Sequence, residues 1–249
     1  MTRIASHRGG TLEFGDSTPR GFAATAKMPL EEVEFDVHPT ADGAIIVHHD
    51  PTLDSTTDRA GEIAALTEAE VRAAVINYGS GGNPLSLAEL CSLYADSKVD
   101  FRCEIKPGAG GAPYRNFVPR VVDMLERCGM LHRTTFSSFL VEAQDELAET
   151  CERPRLWLVS PPVLHQLGAR AVIELARAHR ILEIGVHVDT ANAALMAMVQ
   201  DAGLDFGCWA AHSSAQIEKA LMLGVKVFTT DRPSLAIAIR KRMCGEVNQ

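Results

Sequence analysis

Short apolar or β-branched runs recur along this chain, and longer segments with helical spacing separate them. The short runs span residues 3–6, 33–37, 100–105, 134–137, 155–159, 181–187, 204–210 and 226–229. Strands of a parallel sheet that are covered on both faces read as apolar runs of this length. We therefore predict a strand in each of the eight runs.

The spacing of apolar residues between these strands predicts helices over 19–28, 86–96, 115–128, 139–150, 169–178, 191–202, 214–223 and 233–242. Thr18 is the predicted N-cap of the first helix, with Pro19 at its first helical position. Eight alternating units in 249 residues predict an α/β protein with a closed (β/α)8 barrel. A doubly wound open sheet is the alternative, but the loop sequence HRGGTLEFG lacks its glycine-rich nucleotide motif.

The segment 44–84 is too long for a simple connection between a strand and a helix. We interpret it as an arm inserted after the second strand, with short elements of its own and a flexible closing stretch at 79–83. No internal repeat or low-complexity linker interrupts the chain, so we predict a single domain over 1–249.

Two acidic side chains share one face of the second predicted strand. Apolar residues alternate there with Glu34, Asp36 and His38, and side chains two apart on a strand point the same way. Two carboxylates on a covered strand repel each other, and a divalent cation or a basic group beside them offsets the cost of that repulsion. After a turn at 41–43 the chain returns through 44–47 to adjacent histidines at 48 and 49, of which at most one faces this site.

Active sites of barrels lie at the C-terminal ends of the strands. Ten polar or aromatic residues lie at or just beyond the C-terminal ends of five predicted strands, or on the returning segment. They are His7, Arg8, Glu34, Asp36, His49, Glu104, Lys106, Trp209, Thr230 and Asp231. We interpret Trp209 as a pocket wall and Asp231 as the N-cap of the last helix. Histidines 132, 165, 179, 187 and 212 have no polar cluster around them in the sequence.

Charge and composition narrow the class of protein. The formal charge of -8, with no long basic run, argues against a nucleic-acid partner but leaves a small anionic substrate open. The N-terminal residues lack the apolar core of a signal peptide, and no apolar run approaches the length of a membrane span. The six cysteines show no CxxC spacing, so we predict reduced thiols and a cytoplasmic protein.

Several short motifs follow one another along the chain. They are HRG at 7–9, ExD at 34–36, TxDG at 40–43, HDPxL at 49–53, TTxxxG at 56–61, EIKP at 104–107 and the closing W…G…TD-P at 209, 224 and 230–233. Through these motifs the chain resembles the glycerophosphodiester phosphodiesterase family over nearly its whole length. The resemblance implies a TIM barrel with an insertion after strand two, which agrees with the reading from the strand pattern.

The resemblance also implies roles for single residues. His7 and His49 match the family's general acid/base pair, and Glu34, Asp36 and Glu104 match its divalent-metal ligands. Arg8 and Lys106 match positions that contact the substrate phosphate, and Trp209 matches an aromatic position near the alcohol pocket. Oxygen-only ligands favour Mg²⁺ or Ca²⁺, with Mn²⁺ and Fe²⁺ also compatible.

One position departs from the family pattern, because Gly15-Asp16-Ser17-Thr18 stands where the family usually reads PENT. Asp16 is one methylene shorter than glutamate, and its role stays open. The implied reaction is metal-dependent hydrolysis of a glycerophosphodiester to an alcohol and sn-glycerol 3-phosphate. The sequence leaves open the head group, the metal, which histidine is the base, and whether a homo-oligomer forms through apolar residues of the arm.

Three other classes of protein share parts of this pattern. A related barrel of the sphingomyelinase D or phospholipase D type would act on another phosphodiester, but those enzymes are secreted and disulfide-bonded. A non-catalytic barrel that binds a phosphorylated ligand would lack one of the five histidine and carboxylate positions, and all five are present. A metal-dependent lyase or isomerase would more often carry a lysine base or a histidine cluster at the strand ends.

Overall fold

In a computed structural model that describes residues 1–77, Gly79 and 81–245, eight parallel strands close into a barrel. The strands of the protein, in chain order, are β1 (Arg3–His7), β2 (Glu32–Pro39), β3 (Ile45–Val47), β4 (Leu85–Ser86), β5 (Asp100–Ile105), β6 (Thr134–Ser138), β7 (Arg155–Val159), β8 (Glu183–His187), β9 (Asp205–Trp209) and β10 (Val227–Thr230). β1 pairs in parallel with β2 on one side and with β10 on the other, which closes the ring. The predicted (β/α)8 barrel is confirmed.

Most of the helices cover the outside of the barrel between the strands, whereas the third in chain order belongs to the inserted segment. They are α1 (Thr11–Phe14), α2 (Pro19–Thr25), α3 (Glu68–Arg72), α4 (Leu87–Leu93), α5 (Phe117–Arg127), α6 (Val141–Thr150), α7 (Pro161–Ala178), α8 (Ala193–Asp201), α9 (Ser214–Leu223) and α10 (Pro233–Met243). Apolar side chains on the outer face of the barrel strands pack against these helices and form the main core. This packing leaves the polar residues of the strands on the inner face.

The helix bounds differ from the predicted ones mainly near glycine and proline. Thr18 caps α2 as predicted, because its hydroxyl accepts a hydrogen bond from the N–H of Gly21 at 3.0 Å. α2 ends at Thr25, earlier than predicted, and the short α1 was not predicted. α7 begins at Pro161, well before the predicted start. It consists of two helical pieces that meet at a kink at Gly168 (φ 78°), and the predicted helix covers only the second piece.

The segment between β2 and β5 forms the predicted insertion. β3 runs antiparallel to β2, with Val37 opposite Val47, and β4 adds to β3. A 3-10 turn at Ile63–Ala65 and α3 complete the arm, which has a small core of its own. The predicted flexible closure at 79–83 includes Ser80, which lies outside the described residues.

A buried ion network fills the lower part of the barrel interior. Arg102 of β5 is 2% exposed, and its guanidinium contacts Glu32 at 2.6 Å and Glu183 at 3.4 Å. Burial alone would raise the pKa of Glu32, but Arg102 and then Arg3 hold it below its usual value. Glu32 therefore stays charged, and Arg102, paired with both carboxylates, closes the barrel from below.

All six cysteines are free thiols, and three of them are buried: Cys91 on α4, Cys103 on β5 and Cys208 on β9. None of the helices that the structure describes is long and apolar enough to cross a membrane.

Candidate active site

Three carboxylates meet at the C-terminal end of β2 and β5. Glu34, Asp36 and Glu104 are buried, and they can each place one oxygen within 4.8 Å of the others. The register explains the meeting, because Asp36 lies opposite Glu104 and both side chains point into the barrel. The alternation read from the second and third predicted strands therefore brings these side chains to one place.

Two positively charged side chains, those of Lys106 and Arg8, lie directly against these carboxylates. Lys106 Nζ is 2.9 Å from Glu104 Oε1 and 3.4 Å from Asp36 Oδ1, and Arg8 Nε is 3.2 Å from Asp36 Oδ2. Burial alone would raise the pKa of Asp36, but Lys106 and then Arg8 hold it well below its usual range. Burial likewise works against the charge of Lys106, yet Glu104 and Asp36 raise its pKa above the usual value. Asp36 and Lys106 are thus both charged at neutral pH.

The carboxylate group has the properties of a cation site. Glu34 Oε1 is buried and has no hydrogen-bond partner among the described residues, and the contacts of Asp36 with Arg8 and Lys106 are not aligned as hydrogen bonds. Burial, and then Asp36 and Glu104, raise the pKa of Glu34 well above its usual value. A divalent cation would satisfy these oxygens and offset the repulsion, so the residues present fit one.

His7 lies at the end of β1, between this group and the end of β10. Its Nδ1 is 2.5 Å from Asp231 Oδ1, and its Nε2 is 3.8 Å from Glu34 Oε2. A carboxylate against Nδ1 holds the proton there, which leaves Nε2 directed towards the carboxylate group. The prediction that Asp231 is the N-cap of the last helix is wrong: Arg232 is the N-cap of α10, and the Asp231 side chain accepts from His7 instead.

His49 faces the same space from the inserted arm. Its Nδ1 is 2.6 Å from Asp50 Oδ1, and Asp50 in turn accepts a hydrogen bond from the Ser55 hydroxyl. His48 points the other way and contacts the carbonyl of Thr52 at 3.2 Å, so one of the two adjacent histidines faces the site.

His38 supports the site from behind. Burial lowers its pKa to about 4, so the ring is neutral near pH 7. Its Nε2 lies 3.0 Å from the carbonyl of His49 and donates to it, while Nδ1 accepts from the hydroxyl of Tyr114 at 3.0 Å. This bridge fixes the backbone at His49.

Two residues at the site were not among the predicted site residues. Asp16 Oδ2 accepts from Arg8 Nη1 at 2.7 Å and so orients the guanidinium. The ring of His212 lies 5.7 Å from that of His7, and its Nδ1 accepts the backbone N–H of Asp231 at 3.0 Å. The unusual Gly15-Asp16-Ser17-Thr18 motif was a signal for Asp16, whereas nothing in the sequence around His212 marked it.

A cavity of about 300 Å³ opens at this mouth of the barrel. Trp209 forms one wall, with its ring edge-on to His187 at 4.7 Å and to Phe139 at 5.6 Å between centroids. Of the eight residues to which the resemblance assigns roles, all except Asp36 line the cavity, and they are His7, Arg8, Glu34, His49, Glu104, Lys106 and Trp209.

A barrel that gathers carboxylates, imidazoles and basic groups around a cavity at its C-terminal mouth has the architecture of the (β/α)8-barrel enzymes. Within that class, the model of the glycerophosphoryl diester phosphodiesterase family matches residues 7–235 of this chain. The chain belongs to that family.

Solved structures and curated relatives agree with this assignment. A crystal structure of a putative glycerophosphoryl diester phosphodiesterase from Agrobacterium tumefaciens str. C58 is 69% identical, covers 98% of this chain and 99% of that chain, and has a TM-score of 0.97. A glycerophosphodiester phosphodiesterase from Bacillus altitudinis is 24% identical over 247 residues, which is 98% of this chain and 100% of the relative.

More distant matches are shorter or show the fold alone. A phosphodiesterase from Oleispira antarctica, solved with the product sn-glycerol-3-phosphate, has a TM-score of 0.78 at 17% identity and covers 97% of each chain. The match to the glycerophosphodiester phosphodiesterase of Caldanaerobacter subterraneus is 27% identical, and it spans 55% of this chain and 58% of that relative's length.

Proposed function

We propose that this protein hydrolyses glycerophosphodiesters to an alcohol and sn-glycerol 3-phosphate with the help of one divalent cation. The observation that carries the proposal is the meeting of Glu34, Asp36 and Glu104 in one buried group beside His7 and His49. A phosphodiester anion needs positive charge at its oxygens and proton transfer at both the attacking and the leaving oxygen. The three carboxylates would hold a cation that supplies the positive charge, and the two histidines can transfer the protons.

The three carboxylates would hold the cation, and their oxygen-only donors favour Mg²⁺ or Ca²⁺, with Mn²⁺ and Fe²⁺ as further candidates. When bound, it would neutralise phosphoryl oxygens and help to disperse the charge that develops in the transition state. Arg8 and Lys106 add two fixed positive charges at the same place. Because Asp16, Asp36 and Glu104 already orient them, they need little rearrangement to contact the substrate phosphate.

His7 and His49 are the proposed general acid/base pair. Each holds its Nδ1 against an aspartate, at 2.5 Å for Asp231 and 2.6 Å for Asp50, so each presents Nε2 for proton transfer. One imidazole takes the proton of the attacking hydroxyl, and the other gives a proton to the departing alkoxide. The attacker is either water or the free hydroxyl of the glycerol moiety, and the second would give a cyclic phosphate first.

Asp231 is the proposed positioning residue for His7. Replacing it with asparagine keeps the size of the side chain but removes the charge that holds the Nδ1 proton, so we expect kcat to fall about 100-fold with little change in KM. Steady-state kinetics and cation titration calorimetry measure the effect. Because Asp50 is more exposed than Asp231, the matched variant Asp50→Asn should lose less activity. If Asp231→Asn raised KM or weakened cation binding without lowering kcat, the positioning role would be wrong.

The proposed function itself is tested with protein stripped by a chelator and supplied with glycerophosphocholine or glycerophosphoethanolamine. Mg²⁺, Ca²⁺ or Mn²⁺ is added back singly, and released sn-glycerol 3-phosphate is measured enzymatically. We expect release that depends on the added metal. Folded protein that binds the metal yet releases no product from either substrate would contradict the proposal.

A further inference from the structure

His49 lies just beyond the point where the sheet ends. β3 ends at Val47, which pairs with Val37 of β2, and His49 follows two residues later. Asp50 orients the imidazole of His49, but a side chain is only as well placed as the backbone that carries it. The position of this imidazole therefore depends on what holds the chain after β3.

One buried side chain contacts that part of the backbone. His38 of β2 is fully buried, and its Nε2 lies 3.0 Å from the carbonyl oxygen of His49. A carbonyl oxygen only accepts hydrogen bonds, so the contact is favourable only when Nε2 carries the ring proton. With the proton on Nδ1 instead, two lone pairs would face each other across the same distance. His38 therefore holds the backbone of His49 in one tautomer and repels it in the other.

Tyr114 satisfies the other nitrogen of this ring. Its hydroxyl lies 3.0 Å from Nδ1 of His38, and because Nε2 carries the proton, the hydroxyl donates and Nδ1 accepts. The two rings stand edge to face, with centroids 5.8 Å apart. An imidazole with a partner at each nitrogen is fixed in one orientation. A buried Nδ1 without a donor would instead favour turning the ring away from His49.

The loop after β5 holds Tyr114 in turn. The Tyr114 ring packs edge-on against the buried Phe117 of α5, with 5.5 Å between centroids. It also lies close to Gly108, where a Cβ would come 3.1 Å from Tyr114 Cε1. The N–H of Gly108 donates to the carbonyl of Ala112 at 2.9 Å, which closes the loop. Neither Tyr114 nor His38 is among the described residues that line the cavity.

We propose that His38 and Tyr114 are positioning residues for His49. The hydroxyl of Tyr114 orients the ring of His38, and that ring holds the backbone that places the His49 imidazole at the mouth of the barrel. This inference rests on the proposed function, in which His49 transfers a proton. A misplacement of about 1 Å costs a catalytic group about 100-fold in rate, so loss of either contact should lower kcat.

Two replacements of His38 distinguish positioning from plain packing. The amide nitrogen of glutamine stands near the place of Nε2 and can still donate to His49, whereas the amide oxygen of asparagine stands near Nδ1 and reaches only Tyr114. We expect His38→Gln to keep kcat within about threefold of the wild type, and His38→Asn to lower it about 30-fold with little change in KM. Equal losses in the two variants would assign His38 to packing alone and overturn the inference.

Tyr114→Phe removes one hydroxyl and keeps the aromatic packing, so this variant should fold. We expect kcat to fall about tenfold, with KM and the affinity for an added divalent cation unchanged. In a His49→Ala background the same change should cost less than about twofold, because Tyr114 acts through His49. An equal loss in both backgrounds, or no loss in the wild-type background, would contradict the inference.

Arg120→Ala is the matched control. Arg120 of α5 donates to the carbonyl of Gly43, so it joins the same helix to the β2–β3 hairpin at its turn, away from His49. Removing this contact loosens the hairpin without removing the hydrogen bonds of His38, and kcat should stay near that of the wild type. A loss as large as that of Tyr114→Phe would mean that any loosening of the hairpin lowers the rate, and it would overturn the inference.

Nitrogen-15 NMR of the histidine rings decides the inference without any activity. His38 should show a protonated Nε2 and an unprotonated Nδ1 in the wild type, and the ring resonances of His49 should shift or broaden in Tyr114→Phe. A proton on Nδ1 of His38, or unchanged His49 resonances in the variant, would overturn the positioning role. Should the wild-type protein hydrolyse no glycerophosphodiester, the proposed function fails, and these spectra still decide whether Tyr114 positions His49.

Discussion

Replacing His7 or His49 with alanine is expected to lower kcat about 1,000-fold for a glycerophosphodiester with an alkyl head group. Each imidazole presents its Nε2 to the cavity because an aspartate holds its Nδ1, and proton transfer by one positioned group contributes about 10²–10⁴ in rate. Neither nitrogen is needed to hold the cation in this proposal, so cation affinity should stay near that of the wild type. Steady-state kinetics together with cation titration calorimetry measure both quantities.

Substrates with different leaving groups distinguish which histidine is the general acid and which is the general base. A p-nitrophenolate leaves without protonation, so the variant that lacks the general acid should lose much less activity on bis(p-nitrophenyl) phosphate than on glycerophosphocholine. The variant that lacks the base should lose activity on both. His132→Ala, an exposed histidine outside the site, is the matched control and should behave as wild type. Near-normal turnover by either site variant on the alkyl substrate would show that its assigned role is wrong.

The second large effect is expected from Asp36→Asn. Asp36 is one of the three clustered carboxylates and contacts both basic side chains, with Arg8 Nε at 3.2 Å and Lys106 Nζ at 3.4 Å. Losing the Asp36 charge removes a charged ligand of the divalent cation. It also leaves the positive charges of Arg8 and Lys106 less neutralised, and both effects weaken cation binding. We expect cation affinity to fall at least 100-fold and kcat/KM about 1,000-fold at limiting metal.

Calorimetric titration of chelator-stripped protein with Mg²⁺ or Ca²⁺ measures the affinity directly. The raised pKa of Glu34 means that this carboxyl binds a proton in the metal-free protein more readily than usual, so cation affinity in the wild type should fall as the pH is lowered. Asp123→Asn, at an exposed position on α5, is the control for a lost negative charge. Unchanged cation affinity in Asp36→Asn would exclude Asp36 from the ligand set.

Much of the fold could be predicted from the local pattern of apolar and polar residues. Apolar runs alternating with helical segments predicted the barrel, since each unit must bury one face and eight such units can close a ring. The same period of two placed Glu34 beside Asp36 and Glu104 beside Lys106, because strand geometry fixes which side chains share a face. The predicted role of each of these residues stays a prediction that the experiments above address.

Other parts of the site depend on which strands become neighbours. Asp231 reaches His7 only because β10 pairs with β1 when the barrel closes, and the local sequence around Asp231 is equally suited to capping a helix. The adjacency of His48 and His49 limited the choice to one, but the pairing of β3 with β2 decided that His49 faces inward. Asp16 contacts Arg8 because a turn and the short α1 bring the two residues together, and neither element shows a periodic pattern of apolar residues in the sequence.

The sequence by itself therefore determined the barrel and the faces of its strands, because both depend on periodicity within one element. Only the tertiary structure decided that Asp231 and His212 lie beside His7. These contacts depend on closure and on the register between strands that are distant in the chain. Register is set by the packing of the whole barrel, and no short stretch of sequence encodes it.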